Sequence, residues 1–291
     1  MSGMGQPQTQ SEQRIVIVGV GLIGGSVAAA CRVRFPDAEI IGIGRSSARL
    51  QQAKDARLIT HYATEYTPEL FTGRCLVVVC LPVDMIAAAV CEIAGLSSAD
   101  VVLTDAGSVK GVICDDVSAD PCAADRFVGA HPIAGGENGG FEYAAADLFD
   151  GRICVVTAEQ DGCPATANVR RVSDFWQALG CRIQTMSAAD HDRILALTSH
   201  LPHVMAAVTT SAVGPDHLAM CGSGFRDATR IAAGSAALWK AILTGNREHV
   251  VSAIGVAERQ LAEFRTVLEA GDDGRLQDLL AQAAECRAQL D

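Results

Sequence analysis

Four short stretches of the sequence carry side chains that can exchange protons or bind anions. Asp105-Ala-Gly-Ser-Val-Lys110 and His131-Pro-Ile-Ala-Gly-Gly-Glu137 follow predicted strands, whereas Ser199-His-Leu-Pro-His203 and Asp227-Ala-Thr-Arg230 lie in predicted helices. An imidazole has an unperturbed pKa of about 6.5 and can accept a proton at neutral pH. A guanidinium can bind a carboxylate through two parallel hydrogen bonds. These stretches are therefore candidates for acid–base chemistry on an anionic ligand.

Each of these residues also has a purely structural interpretation when it is taken alone. Ser108 suits the N-cap of a helix, and His131 suits a turn. His200 and His203 suit hydrogen-bonded core histidines, and Asp227 and Arg230 suit a helical ion pair. Chemistry at these positions therefore requires a fold that brings the stretches together.

The stretch that organises such a fold lies near the start of the chain. The apolar residues 15–18 run directly into Gly19, Gly21 and Gly24, which have the spacing G-x-G-x-x-G. A β-branched run is typical of a strand buried in a parallel sheet. The three glycines permit a tight turn, the approach of a pyrophosphate, and close packing of the next helix, predicted from residue 22 to about 34. We therefore predict a dinucleotide site, with an ordinary strand–helix turn as the alternative.

The end of the second predicted strand bears on the choice of dinucleotide. NAD sites usually carry an acidic residue there, but Glu39 begins this strand, and its end reads Gly44-Arg45-Ser46-Ser47. A guanidinium and two hydroxyls suit a 2′-phosphate, so we predict NADP; NAD binding with a solvent-exposed Arg45 is the alternative. The predicted cofactor contacts are Gly19, Gly21, Leu22, Ile23, Gly24, Gly44, Arg45, Ser46, Ser47, Leu81, Pro82 and Ser108.

Composition narrows the class of protein. The net charge of −11 argues against nucleic-acid or anionic-membrane surfaces, which need basic residues. The eleven cysteines form no C-x-x-C pair, and residues 1–13 carry no apolar signal segment, so we expect free thiols and a cytoplasmic protein. No apolar run reaches membrane-spanning length. The sequence also lacks zinc-ligand, P-loop and Ser-His-Asp spacings.

Strand and helix patterns alternate through the first half of the chain. Predicted strands cover residues 39–44, 75–80, 101–104, 127–129, 152–157 and 182–184, and predicted helices cover 47–56, 84–94, a segment from 109, and 165–179. This alternation predicts a Rossmann-like, doubly wound parallel sheet with right-handed crossovers. We assign residues 1–13 to a disordered tail and 14–186 to the dinucleotide-binding domain.

Residues 187–291 form the predicted all-α domain for substrate binding and dimerisation. Apolar residues recur there at helical intervals of three and four, and later helices are predicted at 226–244, 249–270 and 274–290. Pro202 removes a backbone hydrogen bond and is expected to bend its helix. Because the Ala-rich helices would expose much apolar surface alone, we expect a homodimer.

Together these motifs resemble the prephenate/arogenate dehydrogenase family, whose members make tyrosine precursors. The resemblance covers residues 15 to about 239. Its most specific parts are the glycine stretch, Asp105–Lys110, His131–Gly135, Ser199–His203 and Phe225-Arg-Asp-Ala-Thr-Arg-Ile-Ala232.

This resemblance implies oxidative decarboxylation of a cyclohexadienol, with His131 as catalytic base. Ser108 would orient His131 or the ribose, and Arg230 would bind the ring carboxylate while Asp227 holds the guanidinium. Ser199 and His203 would line the substrate pocket. Further implied substrate contacts are His200, Glu137 as a gating or substrate-side acid, and Trp239, which either reaches across the dimer or packs in the core.

Two departures from the family pattern leave the substrate's side chain open. Gly136 replaces a frequent Ser or Thr, and Ser223 lies in a turn that is usually glycine-rich. Both prephenate and arogenate therefore remain candidates. The alternatives are another two-domain reductase of the β-hydroxyacid dehydrogenase or imine reductase type, or a non-catalytic NADP sensor. The former would use a helical-domain lysine or aspartate, and Lys240 is the only lysine in that half.

Overall fold

A six-stranded parallel sheet forms the centre of the first half of the chain. The computed structural model describes residues 12–136, 138–158 and 166–290. The strands of this sheet are β1 (Arg14–Val18), β2 (Glu39–Ile43), β3 (His61–Ala63), β4 (Cys75–Val79), β5 (Val102–Asp105) and β6 (Phe127–Val128). Their order is β3-β2-β1-β4-β5-β6, and all neighbours are parallel. The chain therefore reverses its direction of winding between β1 and β4, where such sheets bind ligands at the carboxyl ends of the strands.

Helices cover both faces of this sheet. Ile15 and Ile17 pack into one buried cluster, and Val16 and Val18 pack into another on the opposite face. The first cluster includes residues of α1, α2 and α5, and the second includes residues of α3 and α4. These helices are α1 (Leu22–Arg34), α2 (Ser47–Asp55), α3 (Val83–Leu96), α4 (Gly111–Ser118) and α5 (Ala167–Ala178). Burial on two sides explains why β1 is apolar at successive positions, and the predicted doubly wound fold is confirmed.

The later strands differ from their predicted arrangement. A second sheet contains β7 (Ala130–Pro132), β8 (Ile153–Thr157) and β9 (Arg182–Met186); β7 and β8 are antiparallel, whereas β8 and β9 are parallel. The expectation that all strands continue one parallel sheet is therefore wrong for β8 and β9. The main sheet ends at β6, and just beyond it the carboxylate of Asp105 accepts the N–H of Ala130 at 2.9 Å.

The second half of the described chain is helical. It contains α6 (Ala188–Leu195), α7 (Leu201–Val213), α8 (Ser223–Thr229), α9 (Ala236–Gly245), α10 (Arg247–Ala270) and α11 (Asp273–Arg287). The single helix predicted over 226–244 is wrong, because α8 ends at Thr229 and α9 begins only after Ser235. The hydroxyl of Ser235 accepts the N–H of Leu238 and caps α9.

A π-helical turn, Ala196–His200, separates α6 from α7 immediately before Pro202. Proline cannot donate the hydrogen bond of a regular α-helix, and π turns occur frequently at functional sites. The expected local distortion near Pro202 is therefore present as a π turn, within the stretch that contains Ser199 and His200.

This helical half buries few side chains of its own. Its core cluster of buried residues is Ala196, Val250 and Ala253. Large apolar side chains on its helices remain exposed in the isolated chain, including Val208, Leu238, Val251, Leu261, Leu268 and Leu280. Apolar surface on this scale is typical of an interaction face.

The described chain begins with an ordered residue. Glu12 is buried and its carboxylate receives two hydrogen bonds from Arg171, so the tail assigned to residues 1–13 ends before Glu12; residues 1–11 lie outside the described part. The ten cysteines of the described ranges are free, and four of them are buried. Within the same ranges, no helix is both long and apolar enough to cross a membrane.

Candidate active site

The glycine turn after β1 has the shape that a pyrophosphate site requires. Gly19 has φ +93°, and a Cβ there would lie 2.6 Å from the carbonyl oxygen of Cys80. A Cβ at Gly24 would clash with the carbonyl oxygen of Gly19, whereas a Cβ at Gly21 would meet open space. Gly21 is also the N-cap of α1 and provides no side-chain cap. The first turn of α1, with Leu22 and Ile23, can therefore present its N–H groups to an anion.

The carboxyl end of β2 lies beside this turn, because the N–H of Gly19 donates to the carbonyl of Ile43 at 2.8 Å. Residues 45–47 that follow are exposed, and the hydroxyl of Ser46 caps α2 by accepting the N–H of Arg49. Glu39 lies at the opposite end of β2 and pairs with Arg14 at 2.7 Å. No described acidic side chain ends β2, so the position that usually holds a ribose 2′-hydroxyl is without its carboxylate.

Two further predicted cofactor contacts lie after β4. A Cβ at Gly19 would lie 3.0 Å from a methyl of Leu81, so Leu81 borders the glycine turn. Pro82 is exposed and is the N-cap of α3. Ser108 is half-buried between β5 and α4, and within the described chain its hydroxyl forms no hydrogen bond with His131. The described structure therefore does not contain a hydrogen bond between Ser108 and His131, and the role of Ser108 in orienting His131 or the ribose stays a prediction.

A buried ion pair fixes the backbone next to His131. Lys110 and Asp105 are fully buried and paired with one another. The carboxylate of Asp105 accepts the N–H of Ala130 at 2.9 Å, and the ammonium of Lys110 donates to the carbonyl of Ala130, also at 2.9 Å. Both backbone groups of the residue before His131 are thus fixed, and the pair provides each charge with a partner.

The imidazole of His131 makes its hydrogen bond to the helical half. Its Nδ1 lies 2.8 Å from Nε2 of His191, and Nδ1 of His191 lies 2.8 Å from Oδ1 of Asp192. The carboxylate of Asp192 also accepts the backbone N–H groups of Lys110 and Gly111, each at 2.8 Å. The two histidines and Asp192 therefore connect β7, α6 and the start of α4.

Burial and these contacts determine the charge of the site. Burial lowers the pKa of His131 well below its usual value, and the neighbouring His191 and Lys110 lower it further. Burial would raise the pKa of Asp192, but hydrogen bonds from His191 and from the N–H groups of Lys110 and Gly111 outweigh it and lower that pKa. His131 is therefore neutral and Asp192 ionised at neutral pH.

The loop after His131 packs over the start of α1. A Cβ at Gly136 would lie 3.3 Å from a methyl of Leu22, and the hydroxyl of Ser26 accepts the N–H of Ala145 at 3.1 Å. These contacts bring the His131 segment against the helix that follows the glycine turn. Glu137 lies outside the described residues.

The histidines around the π turn have different surroundings. His200 is buried, its Nδ1 lies 3.2 Å from the amide of Asn246, and burial lowers its pKa to about 4. His203 is buried and stacks on Trp239 with ring centroids 3.5 Å apart, and burial lowers its pKa. The Nδ1 of His203 has no partner among the described residues. The π turn breaks the α-helical spacing between half-buried Ser199 and His203.

Two of the residues expected to contact substrate pack within the chain. His200 contacts Asn246, and Asn246 also donates to the carbonyl of Asp192 at 2.7 Å, so Asn246 links the buried His200 to α6. Trp239 stacks on His203 of its own chain, which corresponds to the packing alternative for that residue.

Arg230 lies at the end of α8, where the helix changes to a tighter turn. Both Arg230 and Asp227 are exposed. The α-helix ends at Thr229, and Arg230 begins the tighter turn. That Asp227 holds the guanidinium of Arg230 stays a prediction. Ser223 begins α8 and is exposed.

Sequence reasoning missed the residues that contact His131 most closely. His191 and Asp192 were not singled out, and Lys110 and Asp105 entered only as parts of a motif. The one available signal was the adjacent His-Asp pair in the first turns of a helix, which Ser187 caps by accepting the N–H of Asp190.

Comparison with known proteins identifies the family. Residues 27–185 match the model of the prephenate dehydrogenase nucleotide-binding domain, and residues 187–282 match that of the prephenate dehydrogenase dimerization domain. The match to a dimerization domain supports self-association. A cyclohexadienyl dehydrogenase of Zymomonas mobilis is 31% identical over 286 residues, which cover 96% of each chain.

Solved structures agree with the sequence comparison. A prephenate dehydrogenase from A. aeolicus, in complex with hydroxyphenyl propionate and NAD+, has a TM-score of 0.89 at 28% identity, covering 98% of this chain and all of that one. An arogenate dehydrogenase of Synechocystis has a TM-score of 0.81 at 26% identity, covering 96% and 100% respectively. Matched in both halves by models of one family, the chain belongs to the prephenate dehydrogenases, NAD(P)-dependent oxidoreductases of tyrosine biosynthesis.

Proposed function

We propose that this protein catalyses the NADP-dependent oxidative decarboxylation of prephenate or arogenate, with His131 as the base. The observation that carries the proposal is the environment of His131. Its imidazole is buried and kept neutral at the point where the loop after β7 meets the start of α1. A neutral imidazole is the form that can accept a proton.

The reaction requires three coordinated changes in a cyclohexadienol that carries a ring carboxylate. The base removes the hydroxyl proton, and the hydrogen on the same carbon leaves as hydride. The ring carboxylate departs as carbon dioxide, and its bonding electrons complete the aromatic ring. The nicotinamide, when bound, accepts the hydride. In this proposal His131 accepts the proton, and Ser108, which follows β5, hydrogen-bonds the ribose of the cofactor.

The helical half binds the rest of the substrate in this proposal. Arg230 pairs with the ring carboxylate, and Ser199 and His203 line the pocket. The Nδ1 of His203, which has no partner among the described residues, can form a hydrogen bond with a polar group of the substrate. Trp239 supports His203 by stacking on it. Glu137 is proposed as the substrate-side acid on the basis of the family resemblance alone.

The residues present fit a dinucleotide. Gly21 opens onto free space, Gly24 permits close packing, and the uncapped start of α1 faces the turn. We assign the 2′-phosphate of NADP to Arg45, Ser46 and Ser47, because this exposed segment follows β2 and brings a cation without a competing acid. The A. aeolicus relative was solved with NAD+, so NAD is the alternative to be tested.

Changing the end of β2 should reverse the cofactor preference. In the double variant Gly44→Asp, Arg45→Leu, the ratio of kcat/KM for NADP to that for NAD should fall about 10- to 100-fold, since a charge-assisted hydrogen bond contributes roughly 1.5–3 kcal/mol. A Cβ at Gly44 would meet only side-chain carbons of Leu50, at 3.6 Å or more, so Asp fits there. Steady-state kinetics with both cofactors measure the ratio.

The control for this experiment is Arg32→Leu, which removes an exposed arginine from the far end of α1. It should leave the cofactor ratio unchanged. If the double variant retains the parental ratio, the 2′-phosphate is bound elsewhere.

The active form is proposed to be a homodimer that associates through the helical half. Its small core and its exposed Val251, Leu261 and Leu268 support this assignment, together with the match to a dimerization domain. Sedimentation equilibrium tests this assignment, because a homodimer has twice the 30.4 kDa mass of one chain.

The decisive assay combines purified protein with prephenate or arogenate and with NADP or NAD. We expect reduced nicotinamide, followed by absorbance, together with one equivalent of carbon dioxide, for at least one substrate and more efficiently with NADP. Absence of turnover in all four combinations, with folded protein that still binds a cofactor, would refute the proposal.

A further inference from the structure

His131, His191 and Asp192 form a continuous hydrogen-bonded line, here called the His–His–Asp line. The first joins the second through an Nδ1–Nε2 distance of 2.8 Å, and the second joins the third through an Nδ1–Oδ1 distance of 2.8 Å. His191 is completely buried, and Asp192 and His131 are 3% and 8% exposed. Water therefore does not compete for these hydrogen bonds, and the surrounding protein groups determine which ring nitrogens carry the protons.

We propose that His191 is a positioning residue for the reaction: it selects the tautomer of His131 that leaves Nε2 free to accept the substrate proton, and Asp192 orients His191. This inference rests on the proposed role of His131 as the base. It adds His191 and Asp192 to the functional site. His191 acts on the reaction by orienting His131 and does not contact the substrate.

The number of available donors determines where the protons lie. Asp192 receives three N–H groups: the backbone groups of Lys110 and Gly111, and Nδ1 of His191. An ionised carboxylate only accepts, so a singly protonated His191 carries its proton on Nδ1, and its Nε2 has a lone pair. His131 must then donate from Nδ1 to that lone pair. Its own Nε2 is left unprotonated, which is the state required of a base.

The same line stabilises the product of proton transfer. When the substrate O–H bond breaks and an Nε2–H bond forms, His131 becomes an imidazolium, and its Nδ1–H continues to donate to His191. The charges that face this group are Asp192 through His191, and Lys110 with its partner Asp105; His200 is a further neighbouring titratable group. Lys110 is paired with Asp105 but still disfavours a positive charge on His131. The negative charge of Asp192, which lies behind His191, acts in the opposite direction and stabilises the imidazolium.

A purely mechanical role for this contact can be separated from a chemical one. Asp192 already joins α6 to the start of α4 through two backbone hydrogen bonds, and Asn246 binds the carbonyl of Asp192. These contacts do not involve the side chain of His191. Substituting His191 therefore removes the hydrogen bond to His131 and retains the attachment of α6.

The experiment compares His191→Leu, which cannot accept a hydrogen bond, with His191→Gln, whose amide oxygen can. Controls are the parent and His61→Leu, which replaces an exposed histidine on β3. In His191→Leu we expect kcat to fall at least tenfold, with KM and cofactor Kd within about threefold of the parent. We expect His191→Gln to recover part of kcat, because Nδ1 of His131 regains an acceptor.

A second measurement does not depend on activity. In protein labelled with ¹⁵N-histidine, the imidazole nitrogen shifts of His131, assigned with the His131→Asn variant, should show the proton on Nδ1 at neutral pH. In His191→Leu they should show a mixture of tautomers. This measurement can be made in the parent protein even if the leucine variant does not fold.

Two results would overturn the inference. One is an Nε2-protonated His131 in the parent; the other is a folded His191→Leu variant whose kcat and tautomer match those of the parent. If His131→Asn is inactive while His191→Leu is fully active, His131 stands as the base and only the positioning role fails. If His131→Asn itself keeps its activity, the proposed function fails.

Discussion

Replacing His131 with Asn should reduce kcat by about 10²–10⁴-fold, the usual contribution of a positioned general base. Asparagine retains a polar side chain near the position of Nδ1 and so preserves much of the contact with His191. It provides no basic nitrogen for the substrate hydroxyl. Because the ring of His131 bonds to His191 in the helical half, the Kd for the cofactor, measured by fluorescence titration, should change less than about twofold.

The pH dependence of the parent enzyme gives an independent check on the same residue. Burial, His191 and Lys110 lower the pKa of His131, so the neutral, active form persists at pH values below 6.5, where a free histidine is already protonated. We expect kcat/KM to remain constant through neutral pH and to fall only under more acidic conditions. The assignment would be contradicted by a His131→Asn variant that keeps parental turnover. It would also be contradicted by a kcat/KM that already decreases, as the pH is lowered, above pH 6.5. The matched control is His61→Asn.

Local features of the site were predictable because their physical cause lies within a few residues. Gly19 and Gly24 are required by contacts with Cys80 and with one another, and their spacing follows from the geometry of one strand and one helix. The same holds for the absence of an acidic residue at the end of β2, since counting along the strand places Glu39 at its start. Short-range patterns were therefore sufficient to predict the geometry of the glycine turn and the sequence at the end of β2.

Contacts between distant segments were not predictable in the same way. His131 and His191 are 60 residues apart, and His191 looks like an ordinary polar residue of a capped helix. In the same way, β8 pairs with β7, which precedes it by about 20 residues, and the N–H of Ala130 at the start of β7 donates to the carboxylate of Asp105 on β5. An apolar run predicts a strand but not its partner, so tertiary contacts alone decided this part of the fold.

Pro202 illustrates a prediction that was correct in kind and incomplete in detail. A missing N–H group required some distortion of the helix, and the structure places a π turn at Ala196–His200. Packing of His200 against Asn246 and of His203 against Trp239 accompanies this turn. These partners lie on α9 and at the start of α10, so the form of the distortion could not be derived from the local sequence.

Replacing Arg230 with Gln should raise KM for the substrate by at least about 30-fold. Arg230 is exposed in the isolated chain, and in the proposed complex the bound substrate desolvates the pair. Truncating one partner of a desolvated charge pair typically costs roughly 2–5 kcal/mol, and about 1.4 kcal/mol corresponds to a tenfold change. Glutamine can donate a hydrogen bond but cannot form the charged, bidentate pair with a carboxylate. The cofactor Kd should be unaffected, since Arg230 lies in the turn after α8, in the helical half.

The matched control is Arg226→Gln, which removes an exposed guanidinium one turn earlier on α8. In a protein with a net charge of −11, loss of any cation weakens the general attraction for an anionic substrate. That effect is common to both variants and decreases with ionic strength, whereas a direct ion pair in a desolvated pocket is screened much less. We therefore expect Arg226→Gln to change KM less than about threefold at 0.15 M salt. Equal KM values for the two variants would show that the ring carboxylate is bound by another group.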